Sequence, residues 1–180
     1  YRVTVRTEGG HSFSHFGNKN AIHYLADMIQ TLYRVRGPVN GDSKTTYNVG
    51  TISGGTDGNI GLYEDDFCVM TGGTVKNGTS IYGSNVYLAR NARFDLKGGT
   101  ISGGAGTMSQ GGNVALEGTA VFNMSGGTIK NGRAMNIGGN IYNAGTMNIS
   151  GDALITGGTM AGTGNASGNI AVVNGTLNIS

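Results

Sequence analysis

The chain of 180 residues carries one cysteine, one proline and no tryptophan. A lone Cys68 excludes an internal disulfide, so the fold must rest on packing and backbone hydrogen bonds, and the redox compartment stays open. A lone Pro38, with no Gly-X-Y period, excludes a collagen-like triple helix. Charged residues make up 12% of the chain, and the net charge is +2; average usage is about 25%. The basic residues Lys76, Arg90, Arg93, Lys97, Lys130 and Arg133 are scattered along the sequence. Nucleic acid needs clustered Lys and Arg to displace its counterions, so it is not an expected partner. The longest apolar stretches are a few residues, too short for membrane insertion. The sequence opens at Tyr1 without a signal-peptide pattern, and is taken as a mature or excised segment whose targeting signal is not visible.

Glycine is abundant instead, 35 of 180 residues, nearly three times the average share of about 7%. The glycines recur at fixed offsets around Val, Ile, Leu and Phe, which a flexible linker has no reason to do. The runs "CVMTGGTVKNG" (68–78), "FDLKGGTISGG" (94–104) and "FNMSGGTIKNG" (122–132) repeat one alternating pattern that ends in Gly-Gly-Thr. A second marker is an Asn between a small residue and Ile or Val, at Asn59, Asn85, Asn113, Asn140 and Asn169, with intervals of 26, 28, 27 and 29 residues. The Thr of each Gly-Gly-Thr (Thr74, Thr100, Thr128, Thr159) precedes Val75, Ile101, Ile129 or Met160, and "GTI" at Ile52 is the earliest version.

Each repeat therefore offers three short apolar stretches separated by Gly-rich corners. A unit of that length cannot bury its own apolar side and must stack on its neighbours. The predicted fold is all-β: a parallel β-helix of about five three-strand coils over residues 50–180. Equivalent residues should form ladders, Cys68, Phe94 and Phe122 inward, followed by Met147 or Ala153 and then Leu177. A second inward ladder is Ile60, Val86, Val114, Ile141 and Ile170, and the Asn column is an amide ladder. In "GTMNISGDALITGGT" two strand signals, "MNIS" and "ALIT", precede one Gly-Gly-Thr, and one of them is expected as an extra strand or a protruding corner.

Residues 1–49 lack the repeat. Val3 and Val5 alternate in a short strand, and a loop follows. Ile22, Leu25, Ile29 and Leu32 share one face of an amphipathic helix predicted over about residues 20–36, with Asn18 or Asn20 at its start and Gly37-Pro38 as its stop. Residues 39–49 form a polar connector. This segment is expected to cap the N-terminal end of the solenoid, where open strand edges invite aggregation.

The repeats "GGNV…VFNMSGGTIKNG" and "GGNIYNAGTMNISG" resemble the Gly-Gly-Thr-Ile repeats of large bacterial, gut Firmicute-type adhesin-like surface proteins. The resemblance covers roughly residues 50–180. It implies a right-handed parallel β-helix of the pectin-lyase-like type, an extracellular or bacterial cell-surface location, and host or microbial glycans or surface proteins as partners. It carries no assignment of functional residues, because the repeat residues are structural.

Chemistry-bearing residues are few. Glu64, Asp65 and Asp66 stand together in "YEDDF"; they read as a solvated corner, with a calcium or acid–base site as the alternative. His11, His15 and His23 have one zinc-like spacing but no nearby cysteine, so a loop pair and a helix-surface histidine is the plainer account. Cys68 aligns with two phenylalanines and reads as a small buried apolar residue. The Thr column reads as a structural ladder; an ice-binding array would need two Thr per coil on one flat face. Tyr63, Tyr82, Tyr87 and Tyr142 are the candidates for stacking on sugars. No cofactor is expected. The leading expectation is a non-enzymatic, rigid or adhesive surface segment. One alternative is a fibre subunit that stacks end to end, since "GTLNIS" stops in mid-pattern. The other is a polysaccharide lyase or hydrolase, on fold analogy alone.

Overall fold

A computed structural model describes residues 51–53, 58–162 and 168–180. The predicted helix 20–36, the strand and connector around it, and His11, His15 and His23 lie outside the described residues. Among the described residues all regular structure is β-strand, in the compact unit Gly50–Ser180.

The strands form four sheets, and every neighbouring pair is parallel. The first sheet stacks Ile60–Leu62, Val86–Leu88, Val114–Leu116, Ile141–Asn143 and Ile170–Val172. The second stacks Phe67–Met70, Arg93–Leu96, Val121–Met124, Thr146–Ile149 and Thr176–Ile179. The third stacks Thr51–Ser53, Thr74–Lys76, Thr100–Ser102, Thr128–Lys130 and Leu154–Thr156. Strands of one sheet come from successive repeats, so the chain winds as a parallel β-solenoid of five rungs, spanning about four turns at a rung spacing near 4.8 Å.

The turn has four strands where three were expected. The fourth sheet stacks Thr79–Tyr82, Ala105–Gln110, Arg133–Ala134 and Thr159–Met160. Its strands vary from 2 to 6 residues, and its register shifts between Ser80 and Tyr82. It is held by backbone pairing without a regular apolar alternation, so its sequence looks like an extended corner.

Packing follows from the register. Cys68, Phe94, Phe122, Met147 and Leu177 face one another in turn, so Met147 rather than Ala153 continues that ladder. Phe94 and Phe122 are fully buried and stacked, with ring centroids 5.6 Å apart. Ile60, Val86, Val114, Ile141 and Ile170 form the second ladder. Fully burying such a side chain, as at Phe94, Phe122, Val86 and Val114, contributes about 1.5–3 kcal/mol, and the ladders join into one continuous core.

Glycine sits where a Cβ has no room. In the Gly-Gly doublets, a Cβ on Gly98 or Gly126 would stand 2.6 or 2.7 Å from a carbonyl oxygen of the rung before. The second glycine of each pair, Gly73, Gly99 or Gly127, takes φ of +81°, +95° or +81°, a region that only glycine enters freely. The doublet is therefore the corner between the second and third sheets.

The double strand signal has a simple resolution. "MNIS" lies in the second sheet and "ALIT" in the third, where Leu154 pairs with Thr128. Neither is extra. Thr159 then falls one corner later and pairs with Arg133 in the fourth sheet, so the Thr column is Thr51, Thr74, Thr100 and Thr128, with Leu154 in the place expected for Thr159. Here Gly151-Asp152-Ala153 makes the corner that Gly-Gly makes elsewhere, one residue longer.

Candidate functional site

The most polar-rich columns are occupied with one another. Asn59, Asn85, Asn113 and Asn140 each donate through Nδ2 to Oδ1 of the next Asn, at 2.7–2.8 Å, ending on Asn169. Each Nδ2 also donates to a carbonyl at the end of the third sheet: Lys76, Ser102, Lys130 or Thr156. The backbone N–H groups of Gly78, Gly104, Gly132 and Gly158 donate to Oδ1 of Asn85, Asn113, Asn140 and Asn169. Asn59, Asn85, Asn113 and Asn140 are buried. These amides clamp the first sheet to a corner across the coil; at the first rung Asn59 Oδ1 is buried without a partner among the described residues.

A second polar ladder escaped the sequence reading. On the outer side of the second sheet, Asn123 donates to Asp95, Asn148 to Asn123 and Asn178 to Asn148, at 2.7–2.8 Å. Arg93 grips Asp95 with two nitrogens, at 2.8 and 2.7 Å. The guanidinium, then the Asn123 amide, holds the Asp95 carboxyl below the usual carboxylate range against the opposing effect of burial. The guanidinium also lies 5.1 Å from the centre of the exposed Phe67 ring. The available signal was the middle letter of "FDL", "FNM", "MNI" and "LNI", which is polar in each.

The sugar-stacking candidates partly converge. Tyr87 stands between Tyr63, centroids 5.6 Å apart and planes at 60°, and Tyr82, centroids 6.2 Å apart and planes at 37°. Tyr142 lies two rungs from Tyr87 on the other side of Ala115, in the column Gly61, Tyr87, Ala115, Tyr142, Ala171. Small residues alternate with tyrosines along it, and the Tyr63 ring leans over Gly61, where a Cβ would meet it at 3.0 Å. The Tyr87 hydroxyl donates to Glu117 Oε2 at 2.7 Å. Burial, then that carboxylate, pushes the Tyr87 phenol up, and burial also raises Tyr142.

Tyr63 and Tyr87 line an open groove of about 730 Å³, with Glu64, Ala89, Arg90, Glu117, Gly118 and Thr119. Arg90 pairs with Glu64 at 2.7 Å, both largely exposed. The Thr119 hydroxyl donates to Asn91 at 2.6 Å. Glu64 and Arg90 take φ of +57° and +56°, beside Gly118 at +61° on the following rung, so three rungs turn alike at this corner. Tyr63, Tyr87 and Glu64 are sequence candidates, whereas Arg90 and Thr119 join them only in the structure, at a corner that has no repeat signature.

The acidic triplet is divided. Glu64 faces Arg90, and Asp66 Oδ2 accepts the backbone N–H of Tyr63 at 3.0 Å, closing its own turn. Among the described residues no three His, Cys, Asp or Glu side chains group as a metal site. Cys68 is half-buried, and burial pushes its thiol up, away from the thiolate a nucleophile needs.

Residues 1–67 match the model of a peptidase dimerisation domain. The match spans 67 of the 180 residues, and its described part, 51–53 and 58–67, forms solenoid strands paired with the following rungs. Comparison with curated proteins and with solved structures finds no match.

Proposed function

We propose that this solenoid is a non-enzymatic, extracellular segment of a bacterial surface protein, a rigid adhesive rod that takes glycans in the Tyr63–Tyr87 groove. One observation carries the reading. Two tilted tyrosine rings flank a groove whose rim holds carboxylates, a guanidinium and a hydroxyl, while the amides of both ladders are tied to one another. Sugars present apolar C–H faces and polar edges, and a site with aromatic walls and a few placed polar groups suits both. The likeness of the repeats to those of adhesin-like proteins supports the surface role. The test is a glycan array probed with the parent and with Tyr63→Ala. Retention of some glycans by the parent, weakened about tenfold or more in the variant, supports the reading. No retained glycan, or retention that ignores the variant, overturns it.

A further inference from the structure

The charge pattern of the groove narrows the glycan class. Its lining holds two carboxylates, Glu64 and Glu117, and one guanidinium, Arg90. The guanidinium already faces Glu64 at 2.7 Å, so it is poorly placed to receive an acidic sugar. Asp65 and Asp66 continue from Glu64 along the same turn, and among the described residues no lysine lines the groove. Glu117 accepts the Tyr87 hydroxyl on Oε2, while among the described residues none donates to its Oε1. A carboxylate with a free oxygen thus stands beside two aromatic rings whose planes meet at 60°. The negative face of an aromatic ring attracts a cation, more so where water is partly displaced. A nearby carboxylate adds a charge-assisted hydrogen bond to any N–H donor it reaches.

Resting on the glycan reading above, we propose that the groove selects glycans that bear free, protonated amino groups, as in a glucosamine polymer. The ammonium lies against the Tyr63 and Tyr87 rings and bonds Glu117 Oε1, while the pyranose packs on the exposed Tyr63 ring. Thr119 and the Glu64–Arg90 pair face the sugar hydroxyls at the rim. An N-acetylated sugar loses the positive charge and presents a bulkier, neutral amide. An acidic sugar meets the excess of carboxylates.

The test is calorimetric titration of the full chain, in mildly acidic buffer of low ionic strength, with glucosamine, N-acetylglucosamine and galacturonate oligomers of equal length, and with oligolysine. The glucosamine oligomer should bind about tenfold or more tightly than its acetylated counterpart, and added salt should weaken it. Glu117→Gln keeps an acceptor for the Tyr87 hydroxyl and should reduce the glucosamine affinity to that of the acetylated oligomer, with an unchanged melting curve. Equal affinity for both glucosamine forms, or indifference to Glu117→Gln, overturns amino-group selection and leaves the glycan reading standing. Tighter binding of galacturonate overturns it as well. Oligolysine bound as well as the sugar overturns the part played by the pyranose. Binding of none of the sugars, in these titrations and on the array, overturns both proposals together.

Discussion

The two amide ladders use the same side chain in opposite ways. In the ladder from Asn59 to Asn169 each Nδ2 points to the later rung; in the ladder from Asn178 to Asp95 each points to the earlier one. Asp95 explains the second direction. An ionised carboxylate only accepts, so the Asn123 amide must turn its nitrogen toward it, and each later rung follows. Backbone groups fix the first direction, because each Oδ1 from Asn85 onward must meet a glycine N–H and each Nδ2 a carbonyl. The buried ladder is thus bound into the backbone of the coil. The outer ladder is bound mainly to itself and remains within reach of water. Equal hydrogen bonds should therefore have unequal worth, because an orphaned buried group costs its full desolvation and an exposed one rebonds to solvent.

The contrast breaks most severely at Gly104. A Cβ there would stand 2.1 Å from the Gly112 carbonyl oxygen and 2.9 Å from Asn85 Nδ2. Gly104→Ala is expected to cost about 4 kcal/mol or more, or to prevent folding, read by urea denaturation or loss of soluble protein. Asn113→Ala comes next. It removes an acceptor for Asn85 and Gly104 and a donor to Lys130 and Asn140, all in buried or part-buried bonds, with an expected loss of about 3 kcal/mol. Asn123→Ala on the half-buried outer ladder should cost about 1 kcal/mol or less in the same measurement. A loss equal to that of Asn113→Ala would erase the distinction.

The smallest effect is one of pH. Asp95 is held below the usual carboxylate range, first by Arg93, so its folded form binds its proton more weakly than the unfolded chain does. That contribution is present above the unfolded value, about 3.9, and fades as pH falls through the lower folded value. Asp95→Asn should be less stable than the parent at neutral pH, and the gap in urea midpoint should narrow on acidification. A gap that widens in acid would contradict the assignment.

The buried ladder was legible because its Asn must sit between a small residue and an inward Ile or Val, which stamps a period on the sequence. The core was legible for the same reason: Phe94 and Phe122 share an offset, and the register honours it. The outer ladder was not, since a solvent-facing Asn within an alternating strand looks like any polar outward residue. The fourth sheet was missed because backbone pairing leaves no side-chain rule. Thr159 misled by carrying the Gly-Gly-Thr letters one corner late, after Gly151-Asp152-Ala153 had already made the turn. The groove was legible only as its tyrosines and Glu64. Arg90 and Glu64 meet because two αL corners stack, and stacking corners carry no motif.

Ligand chemistry should be confined to the Tyr63–Tyr87 corner, with the ladders serving the scaffold alone. The most direct test is an NMR titration of isotope-labelled protein with a glucosamine oligomer, following side-chain amide and aromatic signals. Shifts concentrated at Tyr63, Tyr87 and the corner of Arg90 and Thr119, with the amides of Asn123, Asn148 and Asn178 unmoved, are the expected result. Shifts running along the outer amides with the tyrosine signals unchanged would place binding on the second sheet and contradict the account.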